Sequence, residues 1–137
     1  MYKHILKPIL FRFNPETAHN ILFSFLSFLR YVPFAGSICR AFYKKESPTL
    51  AKEVFGITFP NPVGLAGGLD KNGEFYNDMA NFGFGFVEIG SLTPKPQDGN
   101  HKPRCFRVPG DKAITNRFGI NNKGVKNAIE HLKKERP

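Results

Sequence analysis

Asn61-Pro62-Val63-Gly64-Leu65-Ala66-Gly67-Gly68-Leu69-Asp70-Lys71 is the stretch on which the reading of this 137-residue chain turns. Asn-Pro bars a helix at its first residue, because the proline ring crowds the backbone before it. The short apolar run Val63–Ala66 then reads as a buried strand. It runs directly into Gly67-Gly68, where missing side chains let a ligand approach the backbone. Asp70 and Lys71 follow at once. A lysine beyond a buried strand, beside glycines, is placed to hold an anionic small molecule. The competing reading is a glycine-rich turn carrying a solvated Asp-Lys pair.

Downstream, Glu74–Phe82 has helical spacing, with Phe75, Met79 and Phe82 on one face. Gly83-Phe84-Gly85 is a turn, and Phe86–Ser91 is a second buried strand. Strand, helix, strand at these lengths predicts a parallel βαβ unit and an α/β fold. Val54–Phe59 predicts a strand or small hairpin. Pro94–Pro103 is an irregular loop. Cys105–Val108 and Ala113–Thr115 predict an antiparallel excursion around Pro109-Gly110-Asp111, and a helix starts at Gly124.

Before Ser47-Pro48 the character differs. Ile5, Leu6, Ile9, Leu10 and Phe13 recur at three- and four-residue spacing. Asn14-Pro15-Glu16 is a helix start: Asn caps, Pro suits the first turn, and Glu favours the positive end of the dipole. The helix that follows carries Ala18, Ile21, Leu22, Phe25, Phe28 and Leu29 on one side, with Phe23 and Leu26 widening that face. Pro33 ends it. A third segment bears Phe34, Ile38, Phe42 and Tyr43. Basic residues flank these faces, which suits an interfacial membrane anchor. A helical hairpin packed on the rest of the chain is the alternative.

The formal charge is +9, with 15 Phe and no Trp. Residues 1–46 hold seven Lys/Arg against two acidic residues, and residues 95–136 hold eleven against four. That balance favours an anionic partner such as phospholipid head groups, nucleic acid or a phosphorylated ligand. Cys39 and Cys105 have neither metal-ligand spacing nor a disulfide framework, so no metal is expected. No apolar run reaches the roughly 18 residues of a membrane span, and no signal peptide is evident.

Three polar clusters end the candidate strands: Gly67–Lys71, Gly90–Thr93 and Thr115–Asn122. In a parallel α/β barrel such ends share one mouth. The last cluster, Thr115-Asn116-Arg117-Phe118-Gly119-Ile120-Asn121-Asn122, is rich in amides, which both donate and accept hydrogen bonds and so suit a planar heterocycle. A turn and helix cap accounts for one of the asparagines, not all three.

Taken together, the segment Asn61–Lys71, Gly83–Gln97, Gly99-Asn100, Lys102-Pro103-Arg104 and Asn116-Arg117-Phe118-Gly119 resemble class 2 dihydroorotate dehydrogenase, the quinone-dependent, membrane-associated branch. Asn14-Pro15-Glu16-Thr17-Ala18-His19 is similar to the second helix of that branch's quinone-binding extension. The resemblance implies a helical membrane-associated extension over residues 1–46, then the incomplete first part of an FMN-binding (β/α)8 TIM barrel over 47–137. It implies oxidation of dihydroorotate to orotate for pyrimidine biosynthesis, with electrons passing through FMN to a membrane quinone. By position, Ala66, Gly67, Gly68, Leu69, Asp70, Lys71 and Ser91 match flavin contacts. Lys71, Asn116, Arg117, Phe118, Gly119 and Ile120 match the substrate site, and His19 and Arg104 match the quinone path. A monomer on the cytoplasmic side of the cell membrane is implied, with no nucleic acid.

Ile120 stands where an aromatic residue is usual, and Gly67 where alanine is common. A barrel of this kind takes roughly 250 residues, so these 137 are expected to be an N-terminal piece. The family's catalytic base, a serine on a later loop, has no match here, and the chain by itself is expected to be inactive. The alternative from another class is a non-catalytic basic membrane- or nucleic-acid-binding module. The ordered site motifs favour the enzyme, and no nucleic-acid-binding fold signature is present.

Overall fold

A computed structural model describes residues 2–45 and 47–134. Glu46, the last residue of the expected extension, and residues 135–137 lie outside the described residues. The chain is mixed α/β, and the one parallel strand pair among the described residues is built around the Asn61–Lys71 stretch. Asn61 sets the start: its side-chain oxygen accepts from the Val63 N–H at 3.0 Å, and its amide donates to the Gly83 carbonyl at 3.1 Å. That turn delivers a strand, Gly64–Leu65, which pairs in parallel with a second, Phe86–Val87, in the register Gly64 to Phe86 and Leu65 to Val87. Gly64 is required there, since a Cβ would overlap the Phe86 ring.

In chain order, a π-helical segment (Tyr2–Leu6) runs into α1 (Lys7–Leu10). Then come α2 (Pro15–Leu29), α3 (Ala35–Tyr43), the hairpin β1 (Lys52–Val54) and β2 (Ile57–Phe59), and the strand Gly64–Leu65, β3. They are followed by α4 (Tyr76–Ala80), the strand Phe86–Val87, β4, the hairpin β5 (Cys105–Val108) and β6 (Ala113–Asn116), and α5 (Val125–Lys134). The predicted βαβ unit is therefore present as β3-α4-β4. Both predicted antiparallel features are also present: β1 pairs with β2 across Phe55-Gly56, and β5 pairs with β6 from Cys105–Asn116 to Val108–Ala113. Phe55 and Gly56 both take positive φ, the geometry of a two-residue turn matched to strand twist.

Asn14 caps α2 as its position predicts, its side chain accepting from the Glu16 N–H at 2.9 Å. The face that α2 buries differs from the expected one. Leu26 is buried with Phe75 and Met79, and Phe23, Leu29, Phe82 and Phe84 pack around them. Ile21, Leu22, Phe25 and Phe28 stay exposed, Phe28 at 62%. The apolar stripe is wider than one contact face, and the groove of α4 selects the Phe23–Leu26 side. This hydrophobic cluster joins residues on both sides of Ser47.

Two elements are shorter than their patterns. The predicted Glu74–Phe82 helix shrinks to Tyr76–Ala80 because Asp70, 2% exposed, accepts from the Glu74 N–H (2.9 Å) and the Phe75 N–H (2.8 Å) and holds those residues in a turn. The predicted Phe86–Ser91 strand pairs only through Val87. Glu88 still donates to the Leu65 carbonyl at 2.9 Å, and then Gly90, at φ 107°, diverts the chain. Among the described residues, no helix is long and apolar enough to cross a membrane. Cys39 and Cys105 are both free thiols.

Candidate active-site cleft

The ends of β3 and β4 are tied together by the glycine turn. Gly68 N–H donates to the Gly90 carbonyl at 2.6 Å, and Gly90 N–H donates to the Asp70 carbonyl at 3.2 Å. Gly68 takes φ 98°, a conformation glycine adopts freely, and a Cβ there would meet no atom within 4 Å. A Cβ on Gly67 would lie 2.9 Å from the Glu88 carboxylate. Above the turn lies a cleft of about 710 Å³, walled on one side by α2 and on the other by the Gly68–Phe75 stretch and the loops after β4 and β6.

Seven of the sequence-predicted site residues line this cleft: His19, Gly68, Leu69, Asp70, Lys71, Arg104 and Phe118. Lys71 stands with its ammonium 4.3 Å from the Phe118 ring centroid, and the Arg104 guanidinium is 5.3 Å from the same ring. Ala66 and Gly67 sit behind the turn, outside the wall, and Ser91 is exposed beyond β4. Asn116 ends β6 opposite Cys105, and Arg117 donates to the Pro103 carbonyl at 3.1 Å. Gly119 and Ile120, both at positive φ, form the turn that follows, and Ile120 is exposed.

The electrostatics are asymmetric. Burial holds the Lys71 ammonium below the ordinary lysine pKa, and the nearby Arg104 charge pushes the same way. Burial lowers the His19 imidazole, aided by Lys71. Glu16 is held below the usual carboxylate range, chiefly by its hydrogen bonds from Arg104, with burial opposing. The cleft thus presents a half-buried cation with no carboxylate bonded to it among the described residues, the setting that an anion relieves.

Several residues that shape the site lie in the quoted segments but were assigned no role of their own. Asn100 donates to the Arg117 carbonyl at 2.7 Å through its side chain and to the Phe118 carbonyl at 2.9 Å through its backbone. Gln97 donates to the Gly119 carbonyl at 2.7 Å. Asn122 is spent on structure, its side-chain oxygen taking the Thr93 and Gly124 N–H groups at 3.1 and 2.9 Å. Asn121 is different: it lines the cleft, and its side-chain oxygen is buried without a partner among the described residues. The amide richness of Thr115–Asn122 was the available signal, but it does not distinguish the structural Asn122 from the unspent Asn121.

A βαβ unit whose strand ends bear a glycine turn and a half-buried lysine places the chain among α/β proteins with a ligand cleft at the strand ends. The chain belongs to the dihydroorotate dehydrogenase family, whose profile matches residues 49–137. It is 47% identical over 133 residues to the dihydroorotate dehydrogenase (quinone) of Christiangramia forsetii, covering 97% of this chain and 39% of that relative. It is 48% identical over 136 residues to that of Cellvibrio japonicus, covering 99% and 38%. The structure of the Eimeria tenella enzyme in complex with ferulenol superposes with a TM-score of 0.73 at 42% identity, over 88% of this chain and 30% of that one. The chain therefore spans about two fifths of the length of the curated relatives it matches.

Proposed function

We propose that these residues form the N-terminal part of a quinone-linked dihydroorotate dehydrogenase, with FMN held over the Gly67-Gly68 turn and dihydroorotate beside Lys71 and the Asn116–Ile120 loop. The observation that carries this reading is the cleft in which Lys71, Phe118, Arg104 and His19 converge, although 99 positions separate the first and last of them in sequence. Its residues suit a flat anionic cofactor: the space over Gly68 is open, and the Asn121 oxygen lies buried and unspent.

When bound, FMN supplies the redox chemistry, taking electrons from dihydroorotate and passing them to the quinone. The chain's own residues bind and orient. The Lys71 ammonium sits where negative charge develops and stabilises it in a site partly stripped of water. Ala66, Gly67, Leu69, Asp70 and Ser91 hold the turn and its approach, and Asn116, Arg117, Phe118, Gly119 and Ile120 frame the substrate edge. Burial lowers the His19 imidazole and so favours its uncharged form, which can donate an N–H to a carbonyl without adding charge. Its ring packs 4.3 Å from Phe23, so the acceptor half of the cleft is walled by aromatic rings of α2. The outer face of α2, with Ile21, Leu22, Phe25 and Phe28 exposed, would dip into the phospholipid surface and admit a lipid-soluble quinone. A monomer bound peripherally on the cytoplasmic side of the membrane fits this reading.

The test is direct. The complete gene product should purify yellow with FMN and reduce a quinone at the expense of dihydroorotate, while NAD fails as acceptor. A folded but colourless product, or one that gives no dihydroorotate-dependent bleaching of the flavin, would overturn the reading.

A further inference from the structure

Glu16 opens α2, where a carboxylate suits the helix dipole, and the structure gives it a second use. Arg104 donates to it from Nε at 3.2 Å to each oxygen and from Nη2 at 2.7 Å to Oε1. Lys102 Nζ lies 3.4 Å away. Both paired side chains are nearly out of solvent, 8% exposed for Arg104 and 13% for Glu16. The other guanidinium nitrogen, Nη1, donates to the Asp98 and Asn100 carbonyls at 2.7 and 3.1 Å. Four of the five N–H groups of Arg104 are thus engaged among the described residues, and one Nη2 hydrogen remains for a ligand.

The same arginine is joined to the substrate-side loop. Its carbonyl accepts from the Arg117 N–H at 2.8 Å, and its guanidinium lies over Phe118. Helix α2 and the Asn116–Gly119 loop are therefore connected through one buried, fork-shaped ion pair. Arg107, on β5, bonds instead to main-chain oxygens of Phe13 and Leu10, ahead of α2.

We propose that Glu16 is a positioning residue: by holding Arg104 along its Nε–Nη2 edge, it fixes the height of α2 over the cleft and aims the one remaining Arg104 N–H at the electron acceptor. The inference rests on the function proposed above. Without the Glu16 carboxylate, a buried guanidinium loses its partner and swings toward the nearest water or anion. The acceptor half of the cleft then loses its shape, whereas Lys71 and the Gly67-Gly68 turn, which make no bond to Glu16, keep theirs.

The complete flavoprotein is tested as Glu16→Gln, Glu16→Asp, Arg104→Gln and the Glu16→Gln/Arg104→Gln double variant. The measurements are flavin content, melting temperature, quinone KM and kcat, and flavin reduction by dihydroorotate in stopped flow. Glu16→Gln is expected to raise the quinone KM at least tenfold, with less than threefold change in kcat or in flavin reduction. Glu16→Asp should fall between it and the parent, and it keeps the charge if Glu16→Gln folds poorly. The double variant should be no worse than the poorer single one, because the pair acts as a unit. An unchanged quinone KM in Glu16→Gln, additive penalties in the double variant, or equal loss in both half-reactions would each overturn the proposal. Failure of the parent protein to oxidise dihydroorotate would instead remove the functional reading on which it rests.

Discussion

The Lys71 ammonium and the Arg104 guanidinium share one aromatic ring, lying 4.3 and 5.3 Å from the centroid of Phe118. The ring's electron-rich face attracts both cations. Their mutual repulsion still contributes, after burial, to holding Lys71 below its ordinary pKa. The arrangement is costly in the unliganded chain and favourable once an anion arrives, as expected of a site organised for binding rather than for stability.

Lys71→Met should therefore separate the two. Flavin retention and turnover are expected to fall together, by roughly a hundredfold or more in rate, the usual scale for losing one such electrostatic contact. The melting temperature of the ligand-free protein should rise, because a desolvated charge has been replaced by a thioether. Flavin absorbance, stopped-flow reduction and thermal melting check this. Normal flavin content and rate would show that Lys71 takes no part in the site.

Stability should fall on acidification, in two steps. Below its ordinary value of 6.5, His19 binds a proton more readily in the unfolded chain than in the folded one, so stability drops as pH falls from 6.5 through its lowered folded pKa. Glu16 has the same sign: its contribution is full above 4.5 and is lost as pH falls through its lowered folded value. Melting curves from pH 8 to pH 3 should show both, and Glu16→Gln should flatten the more acidic one while deepening the His19 step, because the Glu16 charge partly offsets the lowering of His19.

Leu26→Ala is expected to destabilise the protein by about 2–4 kcal/mol, since it removes a buried side chain from the contact between α2 and α4. Denaturant unfolding measures this. A cost below about 1 kcal/mol would mean that α2 is only loosely attached. Because this core spans Ser47, deleting residues 1–46 should uncover Phe75 and Met79. Loss of flavin reduction in that truncation would identify the helices as a cap on the core.

Phe25→Ser/Phe28→Ser should act on the opposite face. Both rings are exposed, so the melting temperature should move by no more than about 2 °C, in keeping with surface substitutions. Co-sedimentation with anionic phospholipid vesicles should weaken at least about tenfold, because two rings no longer leave water. Unchanged vesicle binding would place the membrane contact elsewhere.

Much of this architecture is local and was legible in the chain. The Asn14 cap, the β3-α4-β4 unit and the β5-β6 hairpin follow from proline and glycine geometry and from hydrophobic period, which act over a few residues; Val54–Phe59 read only as a strand or small hairpin. The glycine turn and Lys71 could be placed at a strand end for the same reason. What local pattern does not contain is which partner a surface meets. Periodicity marked α2 as apolar on a wide face, and only the packing against Phe75 and Met79 decided that Leu26 turns inward while Phe25 and Phe28 stay outside. Asp70 looked like half of a surface pair, yet it is buried, and its two backbone hydrogen bonds shorten the following helix. The Glu16–Arg104 bond joins residues 88 positions apart. Neither residue type nor spacing marks such a pair, because the energy of a buried charge depends on the solvent and partners that the folded chain supplies.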